Sequence, residues 1–228
     1  MNTLDFPLAG RQLTALASGA LWDRAAGTLC VSDLHLGKAG RIARRAGLML
    51  PPYETDETLD RLALDIAATS PETVICLGDS FDDLAAADEI EETHRLRLLG
   101  LQAGRRWIWI EGNHDPGPLA LGGEHVAELT VGGLIYRHIA DPGARAEVSG
   151  HYHPKHGLGR GGTRPCFLFD AHRLVMPAYG TYTGGLPCTG PELSRLTPPP
   201  AFAILTGRKP ILAPVSKVTR SARPFALP

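Results

Sequence analysis

The chain has 228 residues, of which 43% are hydrophobic, and a formal net charge of −1 at pH 7. This composition suits one large α/β domain and excludes binding to nucleic acid through a global positive field, so such contact needs a local patch. No signal pattern or apolar run of membrane-spanning length appears, which predicts a cytoplasmic protein. Cys30 and Cys76 lie in apolar runs and are predicted to be buried free thiols.

The first metal-ligand pattern follows an apolar strand. Residues 13–17 and 28–32 are predicted to form paired strands, and the second leads into Ser32-Asp33-Leu34-His35. In open α/β sheets, ligands bind where the strands end, and both Asp and His bind divalent metals. A single Asp-x-His pair is more often a turn Asp beside a surface His, so this pattern needs support from elsewhere in the chain.

A short basic stretch comes next. It is either a solvated helix face or a surface that attracts phosphate beside the metal ligands, which we call the basic lip. Pro51-Pro52 interrupts the chain, and a helix with an apolar face is predicted from Thr55. The candidate substrate-binding cations of the basic stretch are Lys38, Arg41, Arg44 and Arg45.

The second pattern follows the predicted strand Thr73–Leu77 and reads Gly78-Asp79-Ser-Phe-Asp82-Asp83. Carboxylates this close repel one another unless a cation or hydrogen bonds compensate. Asp82 or Asp83 could instead cap the helix predicted over residues 85–101. That alternative fits Asp79 poorly, because Asp79 comes directly after a buried strand.

The third pattern follows the predicted strand Arg106–Ile110 and reads Gly112-Asn113-His114-Asp115. Residues 124–129 and 133–137 then suggest a hairpin whose second strand leads to His138. A lone His after an apolar strand is more often structural than a ligand.

The fourth pattern, Gly150-His151-Tyr-His153, follows a short predicted strand at residues 146–149. Two His two positions apart can bind one metal site from a single loop. Two further hairpins are predicted, at residues 166–176 and 202–213, and the Gly- and Tyr-rich segment 178–185 between them has no predicted position. One domain is expected over residues 1–214, and residues 215–228 are predicted to be a flexible tail, with contact to nucleic acid as the alternative.

The four patterns together predict a dinuclear metal site. Two divalent ions about 3.5–4 Å apart need a bridging carboxylate, terminal His and Asp ligands and open positions for water and substrate. Ligands without thiolate suit Mn, Fe or Zn. The candidate residues are Asp33, His35, Asp79, Asp82, Asn113, His114, His138, His151 and His153.

In this order and spacing, the patterns resemble the signature of the calcineurin-like metallophosphoesterases over about half the chain. The resemblance implies an α/β (α+β) fold, a four-layer α/β/β/α sandwich of two mixed sheets flanked by helices. It implies two metal ions, for which Mn²⁺ is favoured and Fe or Zn are alternatives. It also implies that a metal-activated hydroxide attacks phosphorus in line. The matching segments are Asp33-Leu-His35, Gly78-Asp79-Ser-Phe-Asp82, Gly112-Asn113-His114-Asp115, His138 and Gly150-His151-Tyr-His153.

The resemblance also implies a role for each residue. One metal would be held by Asp33, His35, Asp79 and His153. The other would be held by Asp79, Asn113, His138 and His151. His114 would protonate the leaving oxygen or stabilise the transition state, and Asp82 would orient and polarise His114.

Two further features concern the substrate. Ser/Thr protein phosphatases of this family carry a phosphate-gripping Arg where this chain has Asp83, which argues against that role. Four segments resemble the bacterial DNA-ligase-associated metallophosphoesterases: Leu21-Trp22, Asp33-Leu-His-Leu-Gly-Lys38, Pro51-Pro52 before the helix predicted from Thr55, and Pro177-Ala-Tyr-Gly180-Thr-Tyr-Thr-Gly-Gly185. This implies a phosphodiesterase or endonuclease in DNA repair that acts on DNA, single-stranded DNA or RNA beside a DNA ligase, helicase or exonuclease. A small-molecule or nucleotide phosphohydrolase and a non-catalytic scaffold are the alternatives.

Overall fold

A computed structural model describes residues 2–39, 51, 53–117, 120–159 and 162–215. Within this part of the chain, fifteen strands, four α-helices and a short 3-10 turn at Arg24–Ala26 are present. The helices are α1 (Glu54–Thr69), α2 (Leu84–Asp88), α3 (Glu92–Gln102) and α4 (Pro191–Leu196).

Seven strands form the first sheet in their chain order. They are β1 (Thr3–Leu8), β2 (Arg11–Leu16), β3 (Leu21–Asp23), β4 (Thr28–Val31), β5 (Thr73–Leu77), β6 (Arg106–Ile110) and β7 (Glu124–Val126). Neighbours are antiparallel from β1 to β4 and parallel from β4 to β7. Because β4, β5 and β6 run in the same direction, their carboxyl ends meet at one edge of the sheet.

Eight strands form the second sheet. They are β8 (Glu128–Val131), β9 (Leu134–Arg137), β10 (Glu147–Ser149), β11 (Lys155–Gly157), β12 (Thr163–Phe169), β13 (Arg173–Val175), β14 (Ala201–Leu205) and β15 (Ile211–Val215). Their order is β15-β14-β12-β13-β10-β9-β8, and β11 pairs with β12. The sheet is mixed, because β10 is parallel to both β9 and β13 and the other pairs are antiparallel.

Side-chain alternation along the strands produces the layers. In β5, Ile75 and Leu77 face the second sheet, where they join a core cluster that includes Tyr136. The intervening residues Val74 and Cys76 face the opposite way, toward a cluster that includes Leu62 of α1. A third cluster covers the outer face of the second sheet and includes Leu193 of α4. These clusters confirm the predicted four-layer sandwich of two mixed sheets flanked by helices.

Two strand predictions are wrong in their pairing. Residues 13–17 and 28–32 do not pair, because β3 lies between β2 and β4 and pairs with both. Residues 124–129 do not form one strand of a hairpin either. The first part is β7, which joins β6 in the first sheet, whereas β8 pairs with β9 in the second. The chain crosses between the sheets at Ala127, a change of partner that local alternation does not reveal.

The helix predicted over residues 85–101 is divided into α2 and α3. Asp88 and Glu89 lie at the carboxyl end of α2, where negative charge opposes the helix dipole, and Glu92 begins α3, where negative charge is favourable. The charge pattern therefore favours two helices.

Arg41, Arg44 and Arg45 of the predicted basic stretch lie outside the described residues, as do residues 216–228 of the predicted tail. Among the helices that are described, none combines the length and apolar character needed to cross a membrane.

Leu62 and Leu64 offer a matched pair on α1, since Leu62 is 0% and Leu64 is 71% exposed. Leu62→Ala leaves a cavity between α1 and the first sheet, and we expect it to lower the free energy of unfolding by about 2–5 kcal/mol. Leu64→Ala should change it by no more than about 0.5 kcal/mol. Urea denaturation measures both. Equal losses would contradict the assignment of the buried face of α1.

Candidate metal centre

Parallel strands deliver the predicted ligands to one place. Asp33 and His35 follow β4, Asp79 follows β5, and Asn113 and His114 follow β6. These three strands are neighbours in register, with Val31 opposite Cys76 and Leu77 opposite Ile110.

The second sheet completes the site. His138 follows β9, and His151 and His153 follow β10, the strand that lies parallel beside it. The main-chain N–H of His151 donates to both Asp33 carboxylate oxygens, at 3.2 and 3.0 Å. The site therefore lies where the carboxyl ends of parallel strands from both sheets meet.

Asp33, His35 and His153 form the first ligand group. Asp33 Oδ1 lies 3.0 Å from His153 Nε2, and the Nε2 atoms of His35 and His153 are 3.4 Å apart. Asp33 is 0% and His35 is 3% exposed. Two imidazole nitrogens facing each other beside a buried carboxylate form a donor set that one divalent cation would satisfy.

Asp79, His138 and His151 form the second ligand group. His138 Nε2 lies 3.3 Å from Asp79 Oδ2 and 3.0 Å from Asn113 Oδ1. His138 Nδ1 lies 4.0 Å from Asp33 Oδ1, so the two groups are adjacent. The structure thus brings together all seven predicted ligands and separates His153 from His151 as expected. Their binding of metal, and the bridging role of Asp79, stay predictions.

A carbonyl acceptor orients one of these imidazoles, and a carboxylate lies beside a second. His138 Nδ1 donates to the carbonyl of Leu77 over 3.0 Å, because that oxygen can only accept. His35 Nδ1 lies 3.0 Å from Asp82 Oδ1. The acceptor at His138 Nδ1 favours the proton there and leaves Nε2 as a metal ligand, the arrangement typical of metal-binding His, whereas the contact at His35 Nδ1 lacks hydrogen-bond geometry. The residues present therefore fit a pair of divalent ions.

The electrostatics of the buried carboxylates also fit cation binding. Burial raises the pKa of Asp79, but the hydrogen bond and charge of His138 and the N–H of His114 outweigh it and lower the pKa to about 2. Burial likewise opposes ionisation of Asp33, whose pKa is nevertheless lowered, chiefly by His153. Burial and the charge of His138 lower the pKa of His151, which keeps its ring neutral. Burial lowers the pKa of His138, but the hydrogen bond and charge of Asp79 and the charge of Asp33 outweigh it and raise that pKa. The carboxylates are therefore in the ionised form that binds metal, and a metal at His138 would displace its proton.

Backbone strain is concentrated at the predicted ligands. Nine non-glycine residues of the described chain have a positive φ, and five of them are predicted ligands. This conformation costs an L-residue roughly 1–2 kcal/mol, so the surrounding fold imposes it. The five are Asp33, His35, Asp79, His151 and His153.

His114 lies at the mouth of the site, with its side chain 30% exposed. Its main-chain N–H donates to Asp79 Oδ1 over 2.9 Å, and its Nε2 lies 3.9 Å from Asp79 Oδ2. The sequence predicted that Asp82 orients His114. The contact is through the main chain, because His114 Nδ1 donates to the carbonyl of Asp82 over 2.8 Å. The Asp82 carboxylate faces His35 instead.

Lys38 and Asp83 have different surroundings. Lys38 Nζ lies 3.5 Å from Asp82 Oδ1, so the described member of the predicted basic lip is turned toward the metal centre. Asp83 accepts a hydrogen bond from the Ala86 N–H over 2.8 Å and caps α2. The residue at the position of the phosphatase Arg therefore has a structural role.

Two residue groups that the sequence patterns contained, but to which they gave no role, contribute to the site. Asp115 is buried, and its Oδ2 accepts hydrogen bonds from the N–H groups of Ser80 and Phe81, at 2.8 and 3.1 Å, which fixes the turn after Asp79. Tyr179 and Gly180 donate to the carbonyls of Ser32 and Asp33, at 2.8 and 3.0 Å. For Tyr179 and Gly180, the available signal was the Gly- and Tyr-rich composition of residues 178–185, but composition alone could not place that segment in the fold.

The model of the family described as calcineurin-like phosphoesterase matches residues 28–158, more than half of the chain. The chain belongs to this family. It is a metal-dependent phosphoesterase, of a family that uses a dinuclear metal site. The described structure is similar to the crystal structure of the Pseudomonas putida nuclease MPE, with a TM-score of 0.74 and 27% sequence identity, over 92% of this chain and 100% of that chain. Comparison with curated proteins gave no match.

Gly78 tests the packing around the second ligand group. Its φ is +75°, and a Cβ there would lie 2.3 Å from His138 Nδ1. Gly104 has the same φ and nothing within 4 Å. We expect Gly104→Ala to cost roughly 1–2 kcal/mol for the backbone alone. Gly78→Ala should cost more and also displace His138, so that bound divalent metal falls from two ions to one or fewer per chain.

Urea denaturation and the metal content of each reconstituted variant, measured by mass spectrometry, check this prediction. If Gly78→Ala still bound two ions per chain, metal binding would not require His138 in its present position, which would contradict its assignment as a ligand.

Proposed function

We propose that the protein is a phosphodiesterase that cleaves nucleic acid, most simply an endonuclease of DNA repair and ligation. The observation that carries the proposal is the pair of adjacent ligand groups. The fold that holds them is similar to the whole chain of a protein described as a nuclease. The resemblance of Asp33-Leu-His-Leu-Gly-Lys38 and Pro177-Ala-Tyr-Gly180 to the DNA-ligase-associated members supports the same substrate class. A DNA ligase, helicase or exonuclease of the same repair system would be its partner.

The metal assignment belongs to this proposal. One Mn²⁺ would be held by Asp33, His35, Asp79 and His153, and the other by Asp79, Asn113, His138 and His151. When bound, such ions clamp phosphate oxygens and lower the pKa of a water molecule that can attack phosphorus. The protein holds the ligands in place through the strained turns and through the acceptor at His138 Nδ1.

His114 is proposed to supply the proton for the leaving oxygen. The Asp82 carbonyl holds Nδ1–H at 2.8 Å, and the Asp79 carboxylate lies 3.9 Å from Nε2. The carbonyl at Nδ1 orients the ring so that Nε2, at the open mouth of the site, is the atom that would pass a proton to the substrate. Asp82 acts here as a positioning residue, through its carbonyl on His114 and its carboxylate on His35.

The basic lip remains part of the proposal. Lys38 lies 3.5 Å from the Asp82 carboxylate with its side chain 18% exposed, so it can contact a phosphate that enters beside the first ligand group. Arg41, Arg44 and Arg45 follow within seven residues in the sequence, which makes a local cluster of positive charge.

His114→Ala should reduce kcat by roughly 10²–10⁴-fold while both metal ions remain bound, because the imidazole is proposed to transfer a proton and not to bind metal. His94→Ala is the control, since His94 lies 3.1 Å from Asp56 between α1 and α3. Steady-state kinetics and metal content would be measured on the same samples. Unchanged turnover in His114→Ala would exclude it as the acid, and loss of metal would make it a ligand.

The substrate class is tested with metal-stripped protein to which Mn²⁺ is restored. We expect hydrolysis of bis-p-nitrophenyl phosphate to exceed that of p-nitrophenyl phosphate, and a DNA oligonucleotide to be cut internally, both only with metal. One reason is that Asp83 stands where Ser/Thr protein phosphatases carry a phosphate-gripping Arg, which argues against that class of monoesterase. Preference for the monoester would favour a small-molecule or nucleotide phosphohydrolase. Metal binding without turnover of any substrate would favour a scaffold.

A further inference from the structure

One segment outside the matched family region joins the two loops of the first ligand group. This bridging segment comprises residues 177–188. At one end, Tyr179 and Gly180 donate to the carbonyls of Ser32 and Asp33. At the other end, Leu186 donates to the Tyr152 carbonyl over 3.2 Å and accepts from the Lys155 N–H over 2.8 Å. Residues 181–185 therefore cross from the Asp33–His35 loop to the His151–His153 loop.

The bridging segment is held tightly at both loops. A Cβ at Gly180 would lie 2.0 Å from the Leu34 carbonyl oxygen, and one at Gly185 would lie 2.2 Å from the His153 carbonyl oxygen. Lys155 Nζ donates to the Thr183 carbonyl over 3.2 Å. The crossing is thus fixed against the loops that carry Asp33 and His153, whose ligand atoms are 3.0 Å apart.

The bridging segment is also anchored to α1. The Tyr179 hydroxyl donates to Asp65 Oδ2 over 2.8 Å, and the guanidinium of Arg61 lies 4.7 Å from the centre of the Tyr179 ring. The Thr181 N–H donates to the Thr58 hydroxyl over 3.4 Å. Tyr182 therefore lies between Thr181, which is hydrogen-bonded to α1, and Thr183, whose carbonyl accepts a hydrogen bond from Lys155.

Tyr182 is the unusual residue of the crossing. Its φ is +60°, a left-handed conformation that an aromatic residue rarely adopts, and its side chain is left 42% exposed. Strained residues persist where the surrounding structure imposes them, and they cluster at ligand-binding positions. Tyr182 thus holds a partly exposed aromatic ring, on a strained backbone, within the segment that joins the two loops of the first ligand group.

The low net charge of the protein limits how strongly it could attract a polyanion such as nucleic acid. The net charge is −1, and the ligand groups add buried carboxylates at the centre, so attraction to a polyanion must be local. Proteins that bind single strands supplement ionic contacts by stacking unpaired bases on aromatic side chains. We infer that Tyr182 is a stacking platform for an unpaired nucleobase adjacent to the phosphate that is cleaved. This inference rests on the proposed function and adds the residue that would contact a base next to the cleaved phosphate.

The test compares Tyr182→Ala, Tyr182→Phe and the wild type on a single-stranded DNA oligonucleotide whose cleavage position has first been mapped. Matched oligonucleotides carry an abasic residue on one or the other side of that position. On the intact oligonucleotide, Tyr182→Ala should raise KM by roughly 10- to 100-fold, and Tyr182→Phe should keep the wild-type KM because the ring is retained. On one abasic oligonucleotide, the wild type and Tyr182→Ala should have equal KM.

Phe202→Ala removes a ring that is similarly exposed, at 38%, from β14, a strand that supplies no predicted ligand, and should leave KM unchanged. An equal KM for wild type and Tyr182→Ala on the intact oligonucleotide would overturn the stacking inference alone. An unchanged penalty on both abasic oligonucleotides would do the same, because the effect would then not depend on the base. Failure of the wild type to cut any oligonucleotide would overturn the proposed function and this inference together.

Discussion

The structure depends on placing two ionised carboxylates, Asp33 and Asp79, where almost no water reaches them. Asp33 is 0% and Asp79 is 2% exposed. An isolated buried carboxylate is costly, so each is compensated by imidazoles and main-chain N–H groups from other strand ends. Adjacent parallel strands of both sheets bring these imidazoles and N–H groups together. A pair of divalent cations would balance the remaining negative charge of the two carboxylates.

Holding these groups in place requires strained and crowded backbone. Five predicted ligands have left-handed backbone conformations, and Gly78 lies so close to His138 that no side chain fits between them. A well-packed sandwich can sustain this strain, because three apolar clusters fix the strands from which the turns emerge. The geometry of the metal centre therefore depends on the packing of the layers.

The part of the chain beyond the matched family region is structurally necessary. Strands β12 to β15 complete the second sheet, and the bridging segment joins the Asp33–His35 loop to the His151–His153 loop. Asp83 shows a complementary change, since the position that grips phosphate in the protein phosphatases instead caps α2. The proposed roles of Lys38 and Tyr182 would place substrate selection in residues around the metal centre.

The sequence by itself determined the strands before each ligand turn, because apolar runs followed by Gly and polar residues are local signals. The four-layer class and the predicted division of the ligands into two groups came from the resemblance to the calcineurin-like metallophosphoesterases. Strand β5 has the predicted bounds, and His151 and His153 separate as expected. Tertiary structure alone decided that β3 separates β2 from β4, that the chain changes sheets at Ala127, and that Asp82 reaches His114 through its carbonyl. It also placed Tyr179 against Ser32, a contact across more than 140 residues. Such contacts depend on which distant strands become neighbours, and no local periodicity encodes that.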